Sequence, residues 1–276
     1  MSGTLYLVPT PIGNLGDISL RCQETLEAAD FIAAEDTRVS LKLLNHLELK
    51  KPLVSYYEHN KVESGQRIVE RLLAGESCAL VTDAGSPAIS DPGEDLVALC
   101  AQAGIPVTAI PGPCAAITAL SISGLPTGRF TFEGFLSVNR KSRREHLDSL
   151  LGEQRTMIFY EAPHKLCATL ADLREIFGGE RRISLCRELT KLHEEIIRTT
   201  LDGACALCEQ QQPRGEYVLI VEGAAEAAEP ELTLEDALRQ VDALLDSGLS
   251  KKDAVRQVAQ RTGFAKNTLY DAVIRR

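Results

Sequence analysis

The chain has 276 residues, of which 44% are apolar and 25% charged, and its formal net charge is −9. This composition excludes a disordered or collagenous protein, and the length corresponds to about two domains. The longest apolar runs, such as residues 217–221, are much shorter than the ~20 residues of a membrane-spanning helix, so we expect no membrane partner. The negative charge argues against indiscriminate binding to nucleic acid.

Short apolar strands alternate with amphipathic helices through residues 1–122. The predicted strands are residues 5–8, 31–34, 53–56, 78–82 and 107–110. The predicted helices are residues 20–29, 62–73, 94–103 and 115–122. Such alternation is typical of βαβ units, so we predict an α/β domain with a mainly parallel sheet.

A second α/β domain is predicted over residues 123–225, because glycines and a proline interrupt the pattern at residues 124–128. Its predicted strands are residues 130–132, 157–160, 183–186, 195–198 and 217–222. Its predicted helices are near residues 141–151, 164–176 and 201–211.

Residues 226–276 are predicted to form an acidic linker and a small all-helical C-terminal unit. The linker is rich in Ala and Glu and ends at Pro230. Thr233 with Asp236 is a start signal for a helix. Residues 249–276 carry seven bases and two acids, and Ala259, Gly263 and Leu269 have the spacing of a helix-turn-helix. The alternative is a helical hairpin that packs on the body or on a partner subunit.

The cysteines and the N-terminus predict a cytoplasmic protein with reduced thiols. The first residues lack the basic and long apolar stretches of a secretory signal. Eight cysteines are scattered through the chain, mostly in apolar segments. Cys205 and Cys208 form one CxxC pair, but no second pair or HxxxH offers the other two ligands of a zinc site, so we predict no metal.

Three Gly/Pro-containing loops follow predicted parallel strands, at residues 9–16, 82–87 and 111–113. Because ligands of open α/β sheets bind beyond the carboxyl ends of the strands, the three loops together indicate a small-molecule site. Ordinary turns are the alternative reading. Neither a P-loop nor the GxGxxG dinucleotide motif is present, which disfavours an NAD-binding fold.

Five segments carry a resemblance to a known family. They are PTPIGNLGD from Pro9, AEDTR from Ala34, YEHN from Tyr57, DAGSPAISDPG from Asp83 and FYEAPH from Phe159. Together they resemble the tetrapyrrole methylase superfamily, the class III S-adenosylmethionine methyltransferases, and within it the members that methylate ribosomal RNA. The resemblance covers essentially the whole chain, and its specificity lies in the combination of segments.

This resemblance implies a fold, an activity and partners. The implied fold has two α/β domains with a cofactor cleft between them, plus the small C-terminal unit. The implied reaction is S-adenosylmethionine-dependent 2′-O-methylation of a cytidine in small-subunit (16S) ribosomal RNA, with the assembled 30S subunit as substrate and a homodimer as the active form. The alternatives are a methylase of a tetrapyrrole-like small molecule and a DNA-binding regulator built on the C-terminal unit.

The resemblance also assigns cofactor-binding positions along the motifs. These positions are Pro9, Ile12, Gly13, Ser86, Pro87, Ala88, Ile89, Ala115, Ala116, Tyr160, Glu161 and Glu216. Ser86 stands where the superfamily commonly has an aspartate, so we expect backbone contacts there instead of an ion pair.

A ribose hydroxyl is a poor nucleophile and needs a base or a group that stabilises the developing alkoxide. The candidates are acids and amides at the ends of the predicted strands. Glu35, Asp36 and Arg38 leave the second strand, residues 58–60 follow the third, and Asp83 leaves the fourth. Our hypothesis is that Asp36 activates or orients the 2′-hydroxyl, with Glu35 beside it and Arg38 near a phosphate. The alternative is that Asp36 caps the next helix and pairs with Arg38.

Bases and aromatic residues near these loops are candidates for RNA contacts. The run from Arg140 to Arg144 has four bases in five residues, a density that suits phosphate groups, although a solvated helix start is the alternative. Tyr56 and Tyr57 are candidates for stacking, and His59 either contacts RNA or bridges loops. The predicted RNA-binding residues are Tyr56, His59, Arg140, Lys141, Arg143, Arg144, Lys251, Lys252 and Lys266.

Overall fold

The structure is a computed structural model that describes residues 2–225 and 233–275. Most of the predicted linker, including Pro230, lies outside the described residues. The chain divides into two compact units, Met1–Ala224 and Ala225–Arg276, which are described separately below.

The first sheet of the larger unit is entirely parallel, with the strand order β3-β2-β4-β1-β5. Its strands are β1 (Leu5–Leu7), β2 (Phe31–Ala34), β3 (Leu53–Ser55), β4 (Cys78–Val81) and β5 (Val107–Ala109). The connecting helices are α1 (Leu20–Ala28), α2 (Thr37–His46), α3 (Lys61–Leu73), α4 (Glu94–Gln102) and α5 (Ala115–Ile122). The central strands β2 and β4 are apolar and buried at every position because the helices form one apolar core on each face of the sheet.

The second sheet is mixed and has the strand order β6-β7-β10-β8-β9. Its strands are β6 (Phe130–Phe135), β7 (Thr156–Glu161), β8 (Arg182–Arg187), β9 (Glu195–Thr200) and β10 (Tyr217–Val221). Among the described residues of this sheet, β6 and β7 pair in parallel and the other neighbouring strands pair antiparallel. Helices α6 (Arg140–Ser149), α7 (Pro163–Phe177) and α8 (Leu201–Gln210) complete this part of the unit.

Helix α5 connects the two sheets by packing. It follows the last strand of the first sheet, yet Ala116 and Leu120 belong to an apolar cluster with Ile158 of β7 and Val218 of β10. The two sheets are therefore joined through a shared layer of buried side chains and not through the chain connection alone.

The C-terminal unit is helical, with α9 (Leu234–Asp246), α10 (Lys251–Thr262) and α11 (Lys266–Ile274). Thr233 and Asp236 form a capping box at the start of α9, and Gly263 ends α10 in the left-handed conformation that glycine favours. Ala259 and Leu269 are buried in the apolar core of the unit. The predicted fold class, two α/β parts followed by a helical unit, is confirmed. In the described part of the chain, every helix is too short or too polar to cross a membrane.

Candidate functional site

A cleft of about 470 Å³ lies between the carboxyl edge of the first sheet and strands of the second. From the first sheet it is lined by side chains that follow β1, β2 and β4, including Ile12, Glu35 and Asp83. From the second sheet it is lined by β6, β7, β8 and β10, including Phe135 and Tyr160. This is the position at which ligands bind open α/β sheets.

The three predicted loops meet at this cleft and are held together by the backbone. Thr10 and Gly85 exchange two backbone hydrogen bonds of 2.9 and 3.0 Å, which join the loop after β1 to the loop after β4. The Ser86 hydroxyl donates to the Pro113 carbonyl at 3.1 Å, which adds the loop after β5. A Cβ on Gly112 would lie 2.8 Å from Cβ of Pro9, so glycine is required for this close approach.

The resemblance-based cofactor positions divide into two groups in the structure. Those that line the cleft are Ile12, Ser86, Ile89, Ala115, Tyr160, Glu161 and Glu216. Those that lie outside the lining are Pro9, Gly13, Pro87, Ala88 and Ala116. Members of the second group support the first: Pro9 packs against Gly112, and the Ala116 backbone N–H donates to the Tyr160 hydroxyl at 3.1 Å.

Sequence reasoning did not assign several lining residues to the site. They are Ser90, Asp91, Cys114, Phe135, Ala162, Pro163, Cys186, Leu189, Lys191, Tyr217 and Val218, whereas Asp83, Ala84 and Gly85 belong to the predicted loop 82–87. Residues 83–91 lie inside a segment that carried the family resemblance, so a signal for them was present. Lys191 lies in the β8–β9 loop, where no motif marks it.

An aromatic and a buried carboxylate form the β7 side of the cleft. The Tyr160 ring contacts Phe135 and Phe132 edge-on, with centroids 5.4 and 5.2 Å apart, and burial raises the pKa of its hydroxyl to about 12. The buried Glu161 carboxylate accepts from the Thr169 hydroxyl at 2.6 Å and from the backbone N–H of Ala162 at 2.9 Å. Both side chains are thereby fixed.

Lys191 closes the opposite side of the cleft. Its ammonium donates to Glu188 Oε1 and to Glu216 Oε2, each at 2.8 Å. Its side-chain stem lies over Gly13, where a Cβ would come 2.5 Å from Lys191 Cγ. This cation is therefore part of the wall, already balanced by two carboxylates.

Three carboxyl groups line the first-sheet edge of the cleft: Glu35, Asp83 and Asp91. The Asp83 carboxylate accepts the backbone N–H of Asp36 at 3.1 Å, and Glu35 Oε2 accepts the backbone N–H of Asp83 at 3.5 Å. Burial raises the pKa of Glu35 and Asp83. Burial and then the charges of those two neighbours raise the pKa of Asp91 to about 6.

Asp36 lies outside the cleft lining and has a different set of contacts. It is the N-cap of α2, where its carboxylate accepts the Arg38 backbone N–H at 2.8 Å. The Arg38 guanidinium binds both carboxylate oxygens, at 3.0 and 2.6 Å, and these bonds hold the pKa of Asp36 at about 2. The capping alternative describes the structure, and our hypothesis that Asp36 acts on a substrate hydroxyl loses its geometric support.

Two predicted RNA contacts need correction. Tyr56 is 1% exposed and packs in the core of the first sheet, so it has no free face for a base, whereas Tyr57 is exposed with its ring edge-on to His59. Arg143 is also buried, and its guanidinium donates to Asp172 at 2.8 Å. Arg143 lies on the side of α6 that faces α7, so its guanidinium is not available to a phosphate.

The other basic residues of the run 140–144 differ in whether their charge is free to bind a phosphate. Arg144 binds Glu175 at 2.5 and 2.7 Å, and Arg140 lies 3.5 Å from Asp172. Lys141 points to solvent with 85% of its side chain exposed. In the C-terminal unit, Lys251, Lys252 and Lys266 are all exposed.

Residues 4–205 match the family model of the tetrapyrrole (corrin/porphyrin) methylases. The chain belongs to this methylase family. Residues 231–276 match a second model, the RsmI C-terminal HTH domain. The predicted family is therefore confirmed over most of the chain, and the C-terminal match agrees with the helices seen there.

Curated relatives match along nearly the whole chain. The ribosomal RNA small subunit methyltransferase I of Synechocystis sp. is 48% identical over 97% of this chain and 96% of that protein. The protein of the same name from Halalkalibacterium halodurans is 48% identical over 98% of this chain and 94% of its own length.

Solved structures share the fold at much lower identity. A uroporphyrin-III C-methyltransferase from Thermus thermophilus, complexed with S-adenyl homocysteine, has a TM-score of 0.55 and 18% identity over 80% of this chain and 97% of that chain. Among the residues that the structure describes, no group of three or more His, Cys, Asp or Glu side chains is arranged to hold a metal ion.

Proposed function

We propose that this methylase transfers a methyl group from S-adenosylmethionine to the 2′-hydroxyl of a cytidine in small-subunit (16S) ribosomal RNA. The observation that carries the proposal is the identity of 48% along almost the entire chain with proteins named ribosomal RNA small subunit methyltransferase I. The match of the C-terminal residues to a domain model named for the same enzyme supports it.

The residues of the cleft fit this methyl donor. Its volume of about 470 Å³ is within the ~300–1,000 Å³ of typical ligand pockets. Ile12, Leu189 and Val218 provide an apolar surface of the kind that suits a purine, and Tyr160 adds an aromatic ring. Carboxylates at the opposite edge, Glu35 among them, provide negative potential for a cationic ligand.

The start of one helix suits the carboxylate of the donor's amino-acid part. Helix α5 begins at the cleft, and its N-cap residue, Cys114, makes no side-chain capping bond. The Ala116 N–H of this first turn already donates to the Tyr160 hydroxyl, and the positive end of the helix dipole favours an anion beside it. When bound, the donor supplies an electrophilic methyl group on a positively charged sulfur.

The chain itself must align the ribose hydroxyl with that methyl group and exclude water from the cleft. Exposed groups beside the cleft-lining edge can hold the RNA: Tyr57 and His59 follow β3, next to β2 in the sheet. Lys141 on α6 is 85% exposed, and its surface pair with Glu145 at 3.8 Å leaves its ammonium able to reach a phosphate. Arg140 is 70% exposed despite its contact with Asp172 and can also reach a phosphate.

We also propose the assembled small subunit as substrate, a homodimer as the active form, and the cytoplasm as the location. Exposed cations on an acidic protein favour one shaped polyanion over nucleic acid in general. Large apolar side chains such as Leu192, which is 93% exposed, are of the kind that a second copy would bury.

The proposal is tested by mapping ribose-methylated positions in small-subunit RNA from cells with and without this gene. We expect one 2′-O-methylated cytidine to be lost on deletion and to return when the gene is restored. An unchanged methylation map would contradict the proposal and would revive the alternative of a tetrapyrrole-like substrate.

A further inference from the structure

Asp91 occupies an unusual stretch of backbone in the cleft. It follows β4 in a loop where two non-glycine residues, Ala88 and Ser90, adopt positive φ angles of 67° and 63°. Gly93 at the end of this loop has φ 147°, and a Cβ there would lie 3.0 Å from Ala88 Cβ. Left-handed backbone costs free energy at non-glycine residues, so the surrounding contacts hold this loop in one shape.

The Asp91 carboxylate lines the cleft without a partner. Within residues 2–225 and 233–275, no hydrogen bond or ion pair reaches it. The groups that face it are Glu35 from the end of β2, Asp83 from the end of β4 and the Tyr160 hydroxyl from β7. None of these is a cation, so the charge of Asp91 is uncompensated.

The other acids at the site are already bound. Asp36 holds the helix cap and Arg38, and Glu35 and Asp83 each accept a backbone N–H. Glu161 accepts from Thr169, and Glu216 accepts from Lys191. Each of these bonds favours the ionised carboxylate, although burial still raises the pKa of Glu35 and Asp83. Among the carboxylates that line the described cleft, Asp91 is the one without a hydrogen bond or ion pair.

We propose that Asp91 accepts the proton of the ribose hydroxyl during methyl transfer. This assignment rests on the proposed function of the cleft. Asp91 takes the proton as the ribose oxygen bonds to the methyl carbon and the carbon–sulfur bond breaks, leaving the electron pair on sulfur. Burial and the charges of Glu35 and Asp83 raise the pKa of Asp91 to about 6, which makes it a stronger base than an exposed aspartate.

The test compares Asp91→Asn with wild-type protein in methyl transfer to small ribosomal subunits from a strain that lacks the gene. We expect kcat to fall by ~10²–10⁴-fold, the usual contribution of general base catalysis. In wild-type protein kcat/KM should rise with pH through about 6, and this step should disappear in Asp91→Asn. Asp91→Glu should recover part of the lost turnover.

Two readouts do not depend on turnover. Calorimetry should give a dissociation constant for S-adenosylmethionine within about fivefold of wild type. Carboxyl-carbon NMR of the cofactor-free protein should show a resonance that titrates near pH 6 and is absent from Asp91→Asn. The control is Asp95→Asn, because Asp95 is exposed on α4 and pairs with Lys61 at 2.7 Å; it should leave kcat unchanged.

Full turnover of Asp91→Asn with an unchanged pH profile would overturn the assignment. A large loss of cofactor affinity at unchanged kcat would also overturn it and would make Asp91 a cofactor-holding residue. If the wild-type protein transfers no methyl group to RNA, the proposed function itself is wrong. If the wild-type protein is active and Asp91→Asn is equally active, only the assignment of Asp91 is wrong.

Discussion

Asp36 and Asp91 are both aspartates at the carboxyl edge of the first sheet, but their surroundings shift the pKa values of their carboxyl groups in opposite directions. Arg38 and the start of α2 hold the pKa of Asp36 at about 2. Burial without a counter-charge raises the pKa of Asp91 to about 6. The first carboxylate stabilises the fold, whereas the ionised form of the second opposes it.

Asp91→Asn should stabilise the protein at pH 8. Ionising Asp91 costs free energy in the folded state, so the penalty is absent below about pH 4, where the group is protonated in both states, and complete above about pH 6. After allowance for screening at a half-buried group, we expect the free energy of unfolding to rise by about 1 kcal/mol. Urea unfolding at pH 8 and pH 4 measures this; an equal effect at both pH values would contradict it.

Asp36→Asn should have a much smaller effect on turnover than Asp91→Asn. Asparagine is as good an N-cap as aspartate, so the variant should fold and lose mainly the exposed pair with Arg38. We expect kcat to stay within about threefold of wild type. A loss of a hundredfold or more in the same methyl-transfer assay would restore our first hypothesis for Asp36.

For single residues, the sequence predicted which segments form the site better than it predicted what each side chain does there. The segment that contains Asp91 was recognisable, but the free state of its carboxylate depends on partners from other strands. Tyr56 and Tyr57 are adjacent and chemically identical, and only the packing against the first-sheet core decides that Tyr56 is buried. Arg143 is paired with an acid that lies 29 residues away.

At the element scale, a buried cluster of charges joins α6 to α7. The Asp172 carboxylate binds Arg143 at 2.7 Å and Arg144 at 3.3 Å, and only 4% of its side chain is exposed. Asp172→Asn would leave the buried Arg143 guanidinium without its counter-charge. We expect the free energy of unfolding to fall by about 3 kcal/mol.

Denaturant unfolding checks this value, with Glu175→Gln as the control. Glu175 pairs with Arg144 at the surface, with 58% of its side chain exposed, so its replacement should cost less than about 1 kcal/mol. Equal losses from the two variants would contradict the buried role of Asp172.

The contact between the loops after β1 and β5 is a second element-scale feature. In Gly112→Ala the new methyl group would meet the Pro9 ring, which has little freedom to move, so the loop after β1 must shift. We expect a loss of about 1–3 kcal/mol in stability and weaker binding of S-adenosylmethionine by calorimetry. Gly128→Ala is the control, since no described atom lies within 4 Å of the added Cβ; unaltered affinity in Gly112→Ala would contradict the account.

The order of strands and helices could be predicted from apolar periodicity, but sheet membership could not. Helix α2 was not among the predicted helices, and only its N-cap, Asp36, was considered from the sequence. Strand β6 continues beyond the predicted residue 132, with a register shift between Phe132 and Gly134, and so brings Phe135 to the cleft. The antiparallel pairings of β8, β9 and β10 depend on long-range contacts that no local pattern encodes.

At the scale of the whole molecule, the net charge of −9 conceals an uneven distribution of bases. The basic run at residues 140–144 is largely paired with acids of α7. The C-terminal unit, by contrast, exposes Lys251, Lys252 and Lys266. We therefore expect the C-terminal unit to provide more of the affinity for RNA than the α6 cluster.

Removing residues 231–276 should weaken binding to small ribosomal subunits far more than binding to S-adenosylmethionine. The larger unit, Met1–Ala224, contains the whole cleft, so its cofactor affinity should stay within about threefold of that of the full chain. Loss of phosphate contacts should also reduce the salt dependence of RNA binding. Unchanged affinity for the subunits after truncation would favour a packing role for the C-terminal helices.

Methyl transfer to a ribose of small-subunit RNA can be measured with methyl-labelled S-adenosylmethionine. Purified full-length protein is incubated with small subunits from the gene-deleted strain, and the RNA is digested to nucleosides. We expect label in 2′-O-methylcytidine, with one methyl group per subunit. Label on a base, or no label in RNA together with label in an added tetrapyrrole, would contradict it.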